Sequence, residues 1–333
     1  MGEIILDIKK ELAERKEKSI YELVKAKKKS NSHFKPTDLR LKLKNEIEGA
    51  KIKTGTLIDE MIGGGIPEGK SMMLYGEYGS AKTQTCFTSA VLCPNRVIYI
   101  DTEGTFRVTR IKEMCEVREL DFDTIIDKID LYEPANWVDQ MFLLYDLPSP
   151  ADVNGKVDLI ICDSVSKLFR GVEFIGRENL QVKNGMIREF ILFCEDIAKL
   201  HKAAFIYTTQ IYDKPISGAF VGPAQIQQPV GGRGIQHQGD FVIFIRKGTG
   251  NIRVARMMDS SWNALAERSF LITAAGITDI PEGAKAHTAE ENRIKKFEKT
   301  QEQEKIKPKK KKKKDDEEET SEQNSEELTT EAT

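Results

Sequence analysis

A chain of 333 residues with 39% hydrophobic and 31% charged side chains can fold as one large domain with additions or as two small ones. Its formal net charge of −2 excludes any argument from whole-chain charge about nucleic acid, so a basic surface has to be local. Cys86, Cys93, Cys115, Cys162 and Cys194 show neither pairing nor metal-ligand spacing and read as reduced thiols. No signal-peptide order opens the chain and no run reaches transmembrane length, so the expectation is a cytoplasmic protein, nucleoid-associated if prokaryotic, without membrane contact.

Residues 1–49 are rich in Lys and Glu. Ile4, Ile8 and Leu12 stand at helical spacing, and Ser19-Ile20-Tyr21-Glu22 reads as a capping box. Such short helices cannot form a core alone. From about 50 to 278 short apolar runs alternate with longer amphipathic ones. The predicted strands are 71–75, 96–100, 157–163, 203–208, 240–246, 251–257 and 270–273, with helices near 82–92, 107–117, 135–147 and 178–202. This alternation predicts an α/β fold, a mostly parallel central sheet covered by helices, with the last three strands as antiparallel additions on the C-terminal side. Residues 279–333 form a charged tail, where the run Lys309–Lys314 meets an acidic block at 315–319; it is expected to be disordered. That lysine run reads either as a nucleic-acid tether or as part of a solubilising tail.

The strongest local signal is Gly76-Glu77-Tyr78-Gly79-Ser80-Ala81-Lys82-Thr83, between an apolar strand and a helical stretch that opens with Gln84. Strand, glycine-rich turn and helix form a P-loop, whose backbone N–H groups make a phosphate-binding nest at a helix N-terminus. In that reading Gly76 to Gln84 cradle ATP, Lys82 reaches its β- and γ-phosphates, and the Thr83 hydroxyl ligates Mg²⁺. Ala81 stands where this motif normally has its second glycine. At a position that needs positive φ, alanine costs on the order of 1 kcal/mol.

Two carboxylates follow apolar strands. Asp163 closes Val157–Asp163 and is placed either as a Mg²⁺ ligand or as a plain strand-end residue. Glu103, just past Ile98-Tyr99-Ile100-Asp101-Thr102, is either a base for an attacking water or a solvated loop acid.

Together Glu77-Tyr78-Gly79-Ser80, Tyr99 to Arg107, Thr208-Thr209-Gln210, Phe169-Arg170, Gly176-Arg177, Pro229-Val230-Gly231-Gly232, Arg246-Lys247-Gly248 and Gly276-Ile277 resemble the RecA/RadA recombinase family over about 50–278. The resemblance implies a RecA-like P-loop NTPase core that assembles head to tail, with ATP at the subunit boundary, and binds single-stranded DNA. It implies that Glu103 is the catalytic glutamate, that Arg110 stacks on adenine, and that Gln210 senses the γ-phosphate and signals to a DNA loop. His237 lies where the family often contacts a neighbouring nucleotide; a hydrogen-bonded loop histidine is the other reading. The DNA loops would be 170–183, with Arg170, Arg177 and Lys183, and 212–232, with Lys214, Gly231, Gly232 and the adjacent Arg233. A solvated helix face is the alternative for Arg177 and Lys183.

The departures are as informative as the matches. No helix-hairpin-helix domain is recognisable in 1–49, the joining tetrapeptide is replaced by Phe34-Lys35-Pro36-Thr37, and Ser260 to Leu265 stand in for the segment that caps the neighbour's ATP. With Ala81, they favour a recombinase paralogue, similar in layout to RadB-like proteins, that forms a homo-oligomer or joins a recombinase partner. Three functions remain open: a DNA-stimulated ATPase of recombination and repair, an ATP-holding mediator with little hydrolysis, and a KaiC-like signalling ATPase without DNA.

Overall fold

The computed structural model describes residues 38–55, 58–171, 174, 176–213, 227–260 and 263–281, with Lys10 and Glu14. The helices expected before residue 38, the 34–37 segment, Lys214 with most of the second loop, and nearly all of the charged tail lie outside them.

In chain order the elements are α1 (Leu39–Glu48), β1 (Lys51–Ile52), α2 (Ile58–Met61), β2 (Ile66–Pro67), β3 (Ser71–Tyr75), α3 (Lys82–Leu92), β4 (Arg96–Asp101), α4 (Val108–Val117), α5 (Phe122–Asp127), β5 (Ile129–Tyr132), α6 (Trp137–Asp146) and β6 (Val157–Asp163). A short 3₁₀ turn, Leu168–Arg170, precedes α7 (Arg177–His201), β7 (Ala204–Thr209), β8 (Ile211–Asp213), β9 (Gln227–Pro229), α8 (Arg233–Gln236), β10 (Phe241–Lys247), β11 (Ile252–Ser260), β12 (Glu267–Thr273) and β13 (Gly276–Asp279). Nine strands form one sheet in the order β13-β12-β11-β10-β3-β7-β6-β4-β5.

The six strands from β10 to β5 are parallel, and β11, β12 and β13 extend the sheet antiparallel. The sequence placed the change of direction one strand too early, since β10 lies parallel to β3. The reason is visible in burial: the first five residues of β10 are buried, as every residue of β3, β6 and β7 is. Strands enclosed on both faces read as continuous apolar runs and belong to the sheet's centre.

Alternation along each strand feeds two cores. Met72, Leu74, Val97, Tyr99, Leu159 and Ile161 face α3 and α4, whose Phe87, Val91, Ile111 and Met114 close one layer. Met73, Ile98, Ile160, Phe205 and Val242 face the other way, onto Trp137, Met141 and Leu144 of α6 and Ile187, Phe190, Ile191 and Cys194 of α7. Each fully buried aliphatic or aromatic side chain contributes about 1.5–3 kcal/mol. The cap of α6 is Asn136, which accepts from Val138 and Asp139 N–H at 2.9 and 3.0 Å. All five cysteines are buried and free. No helix among the described residues is long and apolar enough to cross a membrane.

Candidate functional site

Register brings the chemistry together. β3, β7, β6 and β4 are neighbours, and Tyr75 pairs with Thr209 while Asp101 pairs with Asp163. Their carboxyl ends therefore line up, and each runs into a turn that carries a candidate residue. Open parallel sheets bind ligands outside such ends. Here the turns border a cavity of ≈ 540 Å³ lined by Ser80 to Gln84, Glu103, Arg110, Asp163, Gln210 and Arg253, among others.

The glycine-rich turn folds as its sequence requires. A Cβ on Gly76 would stand 2.1 Å from the Ile245 carbonyl oxygen, so only glycine fits under β10. Ala81 takes the left-handed conformation, φ 84°, as the N-cap of α3. The position does need positive φ, and this chain meets it with a residue that carries a Cβ, at a cost of about 1–2 kcal/mol. Three hydroxyl side chains in α3 return to its own carbonyls: Thr85 to Ala81, Thr88 to Gln84 and Ser89 to Thr85, at 2.8–3.0 Å.

Lys82 is 8% exposed and its Nζ donates to the carbonyls of Gly76 at 2.9 Å and Glu77 at 3.0 Å. Burial lowers its pKa, while the nearby Asp163 and Glu103 carboxylates act to raise it. Asp163 is also buried; Oδ1 accepts from Thr208 Oγ1, and Thr83 lies within hydrogen-bonding reach of the carboxylate. Burial pushes its carboxyl up, against the opposing pull of those two hydroxyls. Asp163 Oδ2 is buried with no partner among the described residues. An orphaned carboxylate oxygen beside a threonine hydroxyl is an oxygen donor set that suits Mg²⁺.

Glu103 sits across the cavity. Its Oε1 accepts from Ser164 Oγ at 2.8 Å and from Gln210 Nε2 at 3.0 Å, and Lys167 Nζ lies 3.4 Å from Oε2. Asp101 shapes this turn, with its carboxylate accepting from the N–H groups of Glu103, Gly104 and Phe106 at 2.7–3.0 Å. Glu103 is thus a held acid, its side chain 14% exposed. Gln210 is tied on its other side: its carbonyl accepts from Val230 N–H at 2.8 Å, at the base of the β8–β9 ribbon.

Arg110 is fixed at the cavity rim. Its guanidinium donates to Gln84 Oε1 at 3.0 Å from two nitrogens and to the carbonyl of Ala274 at 3.0 Å, and it pairs with Glu113. Glu77 pairs with Lys247 at 3.6 Å, and Arg253 donates to the Gly79 carbonyl at 2.9 Å, so β10 and β11 brace the turn. Tyr78 is 86% exposed beside the cavity.

The residues expected at DNA lie partly together. Arg170 is exposed at the end of the 3₁₀ turn, and the Lys183 ammonium pKa is lowered by burial and by the charge of Arg170. Gly231 and Gly232 both have positive φ; a Cβ on Gly231 would collide with Ile235 at 1.7 Å, and Gly232 rests against Asn184 of α7. Arg177 opens α7 and Arg233 opens α8, their side chains lying outside the described set. His237 does not border the cavity; it is exposed, with Nδ1 3.3 Å from Asp259 Oδ2.

Sequence reading missed Ser164, Lys167, Thr208 and Asp101. The Ser164-x-x-Lys167 spacing after a strand end was available, but nothing in it points to Glu103, 61 and 64 residues away.

The Rad51 family model matches residues 46–280. The DNA repair and recombination protein RadA of Metallosphaera sedula is 34% identical over 260 residues, covering 74% of this chain and 79% of that protein. The mostly parallel sheet with antiparallel strands on its C-terminal side is consistent with the RecA-like core that the family implies. This chain belongs to the RecA/RadA recombinase family.

Proposed function

We propose that this chain is an ATP-dependent, single-stranded DNA-binding protein of recombination and repair, holding ATP and Mg²⁺ at Gly76–Gln84. The observation that carries the reading is the 3.0 Å bond from Gln210 Nε2 to Glu103 Oε1, because Gln210 also anchors the β8–β9 ribbon. One residue thereby touches the candidate base through its side chain and the foot of the candidate DNA loop through its backbone carbonyl. In the mechanism, the α3 N-terminus and Lys82 hold the phosphates, Arg110 borders the base, and Glu103 takes the proton of the attacking water. Mg²⁺ would be held by Thr83 and Asp163 and would neutralise charge on the phosphates.

Arg170, Lys183 and the Gly231–Gly232 turn are the described part of the proposed DNA face, with Arg177, Lys214 and Arg233 completing it. His237, exposed and away from the cavity of its own chain, is proposed to face the next subunit of a homo-oligomer or a paralogous partner. Each phosphate contact adds about −0.7 to the slope of log affinity against log salt for single strands. Arg170→Ala is therefore expected to weaken binding of an oligothymidylate and to reduce that slope by about one contact, read by fluorescence anisotropy across a salt series. An unchanged slope removes Arg170 from the interface.

A second reading, an ATP-holding mediator with slow turnover, is favoured by the φ of 84° at Ala81. Ala81 is the N-cap of α3 and lines the cavity where the phosphates would lie. On this reading Ala81→Gly is expected to raise kcat several-fold, read by steady-state phosphate release, because glycine removes a Cβ beside the reacting phosphates. Equal kcat in the two proteins means that Ala81 is no brake.

A further inference from the structure

Both carboxylate oxygens of Glu103 are engaged. Ser164 and Gln210 donate to Oε1, and Oε2 faces Lys167 Nζ at 3.4 Å. A general base needs an oxygen directed at the proton it takes, within about 2.6–3.2 Å of the donor atom. Here Oε2 is directed at an ammonium group.

We propose that Lys167 is a positioning residue that restrains Glu103 in the resting protein, and that a phosphate of single-stranded DNA draws Lys167 away and frees the base. The inference rests on the ATPase reading above and deepens it by naming a link between DNA and turnover. Three observations carry it. The pair is lopsided: the Lys167 side chain is 44% exposed and that of Glu103 only 14%, so an anion can reach the cation without entering the site. Lys167 caps the 3₁₀ turn that ends in the exposed Arg170, whose N–H donates to the Lys167 carbonyl at 3.3 Å. Arg170 in turn is near enough to Lys183 for its charge to add to burial in lowering that ammonium's pKa. The ammonium thus belongs to the residue that caps a short turn ending in an exposed arginine of the proposed DNA face. Lysine suits the exchange, being a compact charge on a flexible stem that makes single contacts, unlike the fixed fork of arginine. A partly exposed pair of this kind is weak and salt-screened, so a polyanion competes with it effectively.

Two other roles fit the same position and predict different results. A catalytic cation aimed at the transferring phosphoryl group would raise turnover, and an inert surface charge would leave it alone. The test is steady-state phosphate release by native, Lys167→Met and Lys167→Arg proteins, with and without an oligothymidylate. Binding of a fluorescent ATP analogue is measured on each. In Lys167→Met, DNA-free kcat is expected to rise about three- to fivefold, the factor expected for loss of one exposed ion pair, with KM for ATP unchanged. The stimulation by DNA should shrink by the same factor, and Lys167→Arg should stay close to native. That rise is required even where native protein is silent with DNA. A fall of kcat in Lys167→Met, or no change, with the analogue still bound, overturns the restraint and leaves the ATP site standing. Failure of native protein to bind the analogue removes the ATP reading itself, and the restraint with it.

Discussion

Glu103→Gln is expected to lower ATP turnover by about 10²–10⁴-fold while nucleotide affinity stays within about twofold of native. The substitution keeps the size and shape of the side chain, and an amide oxygen still accepts from Ser164 Oγ and Gln210 Nε2. What it loses is the capacity to take a proton. The nest around the phosphates is built by the turn after β3, across the cavity, and is untouched. Turnover is read under saturating ATP and Mg²⁺, and affinity by titration with a non-hydrolysable analogue. A loss smaller than about tenfold would mean that water is activated by another group.

Lys82→Ala should act on binding and on folding together. Lys82 Nζ satisfies the Gly76 and Glu77 carbonyls as well as facing the cavity, and the residue is 8% exposed. Removing the ammonium takes a charge-assisted contact from the phosphates, so affinity for the analogue is expected to fall about a hundredfold. It also leaves two carbonyls at a poorly hydrated turn, which costs about 1–3 kcal/mol and lowers the thermal midpoint of the nucleotide-free protein. A variant with native affinity and a lowered midpoint would make Lys82 a structural residue of the turn, with no part in holding ATP.

The parts of the fold that were legible in the sequence are those whose burial leaves little freedom of composition. β3 and β6 carry only buried residues and read as apolar runs, and their bounds agree with the structure to the residue. α3 was equally plain, since a helix must follow the glycine-rich turn. β5 escaped because it is an edge strand, half-buried and broken by Asp130, which pairs with Arg96. The β8–β9 ribbon escaped because it packs little and is polar, and β13 because it has four residues and opens on glycine. Short edge elements take their stability from neighbours, which a local pattern does not encode.

The site divides along the same line. Gly76, Lys82 and Thr83 lie within eight residues and were read from spacing alone, with the oddity of Ala81 visible beside them. Asp163 and Glu103 were read as strand-end acids with open roles. Their convergence comes from the pairing of Asp101 with Asp163, which sets two distant turns side by side. Lys167 and Ser164 enter the site through that register and no other signal. Gln210 came from resemblance; its bond to Glu103 is a product of β7 lying between β3 and β6.

The central claim, that a family-typical ATP site works here under the control of DNA, is tested most directly by phosphate release from native and Lys82→Ala proteins, measured side by side with ATP and Mg²⁺, with and without single-stranded DNA. Native protein is expected to release phosphate, and more of it with DNA, while the variant releases none above background. Equal release by the two proteins, or native release indifferent to DNA at low salt, would contradict it.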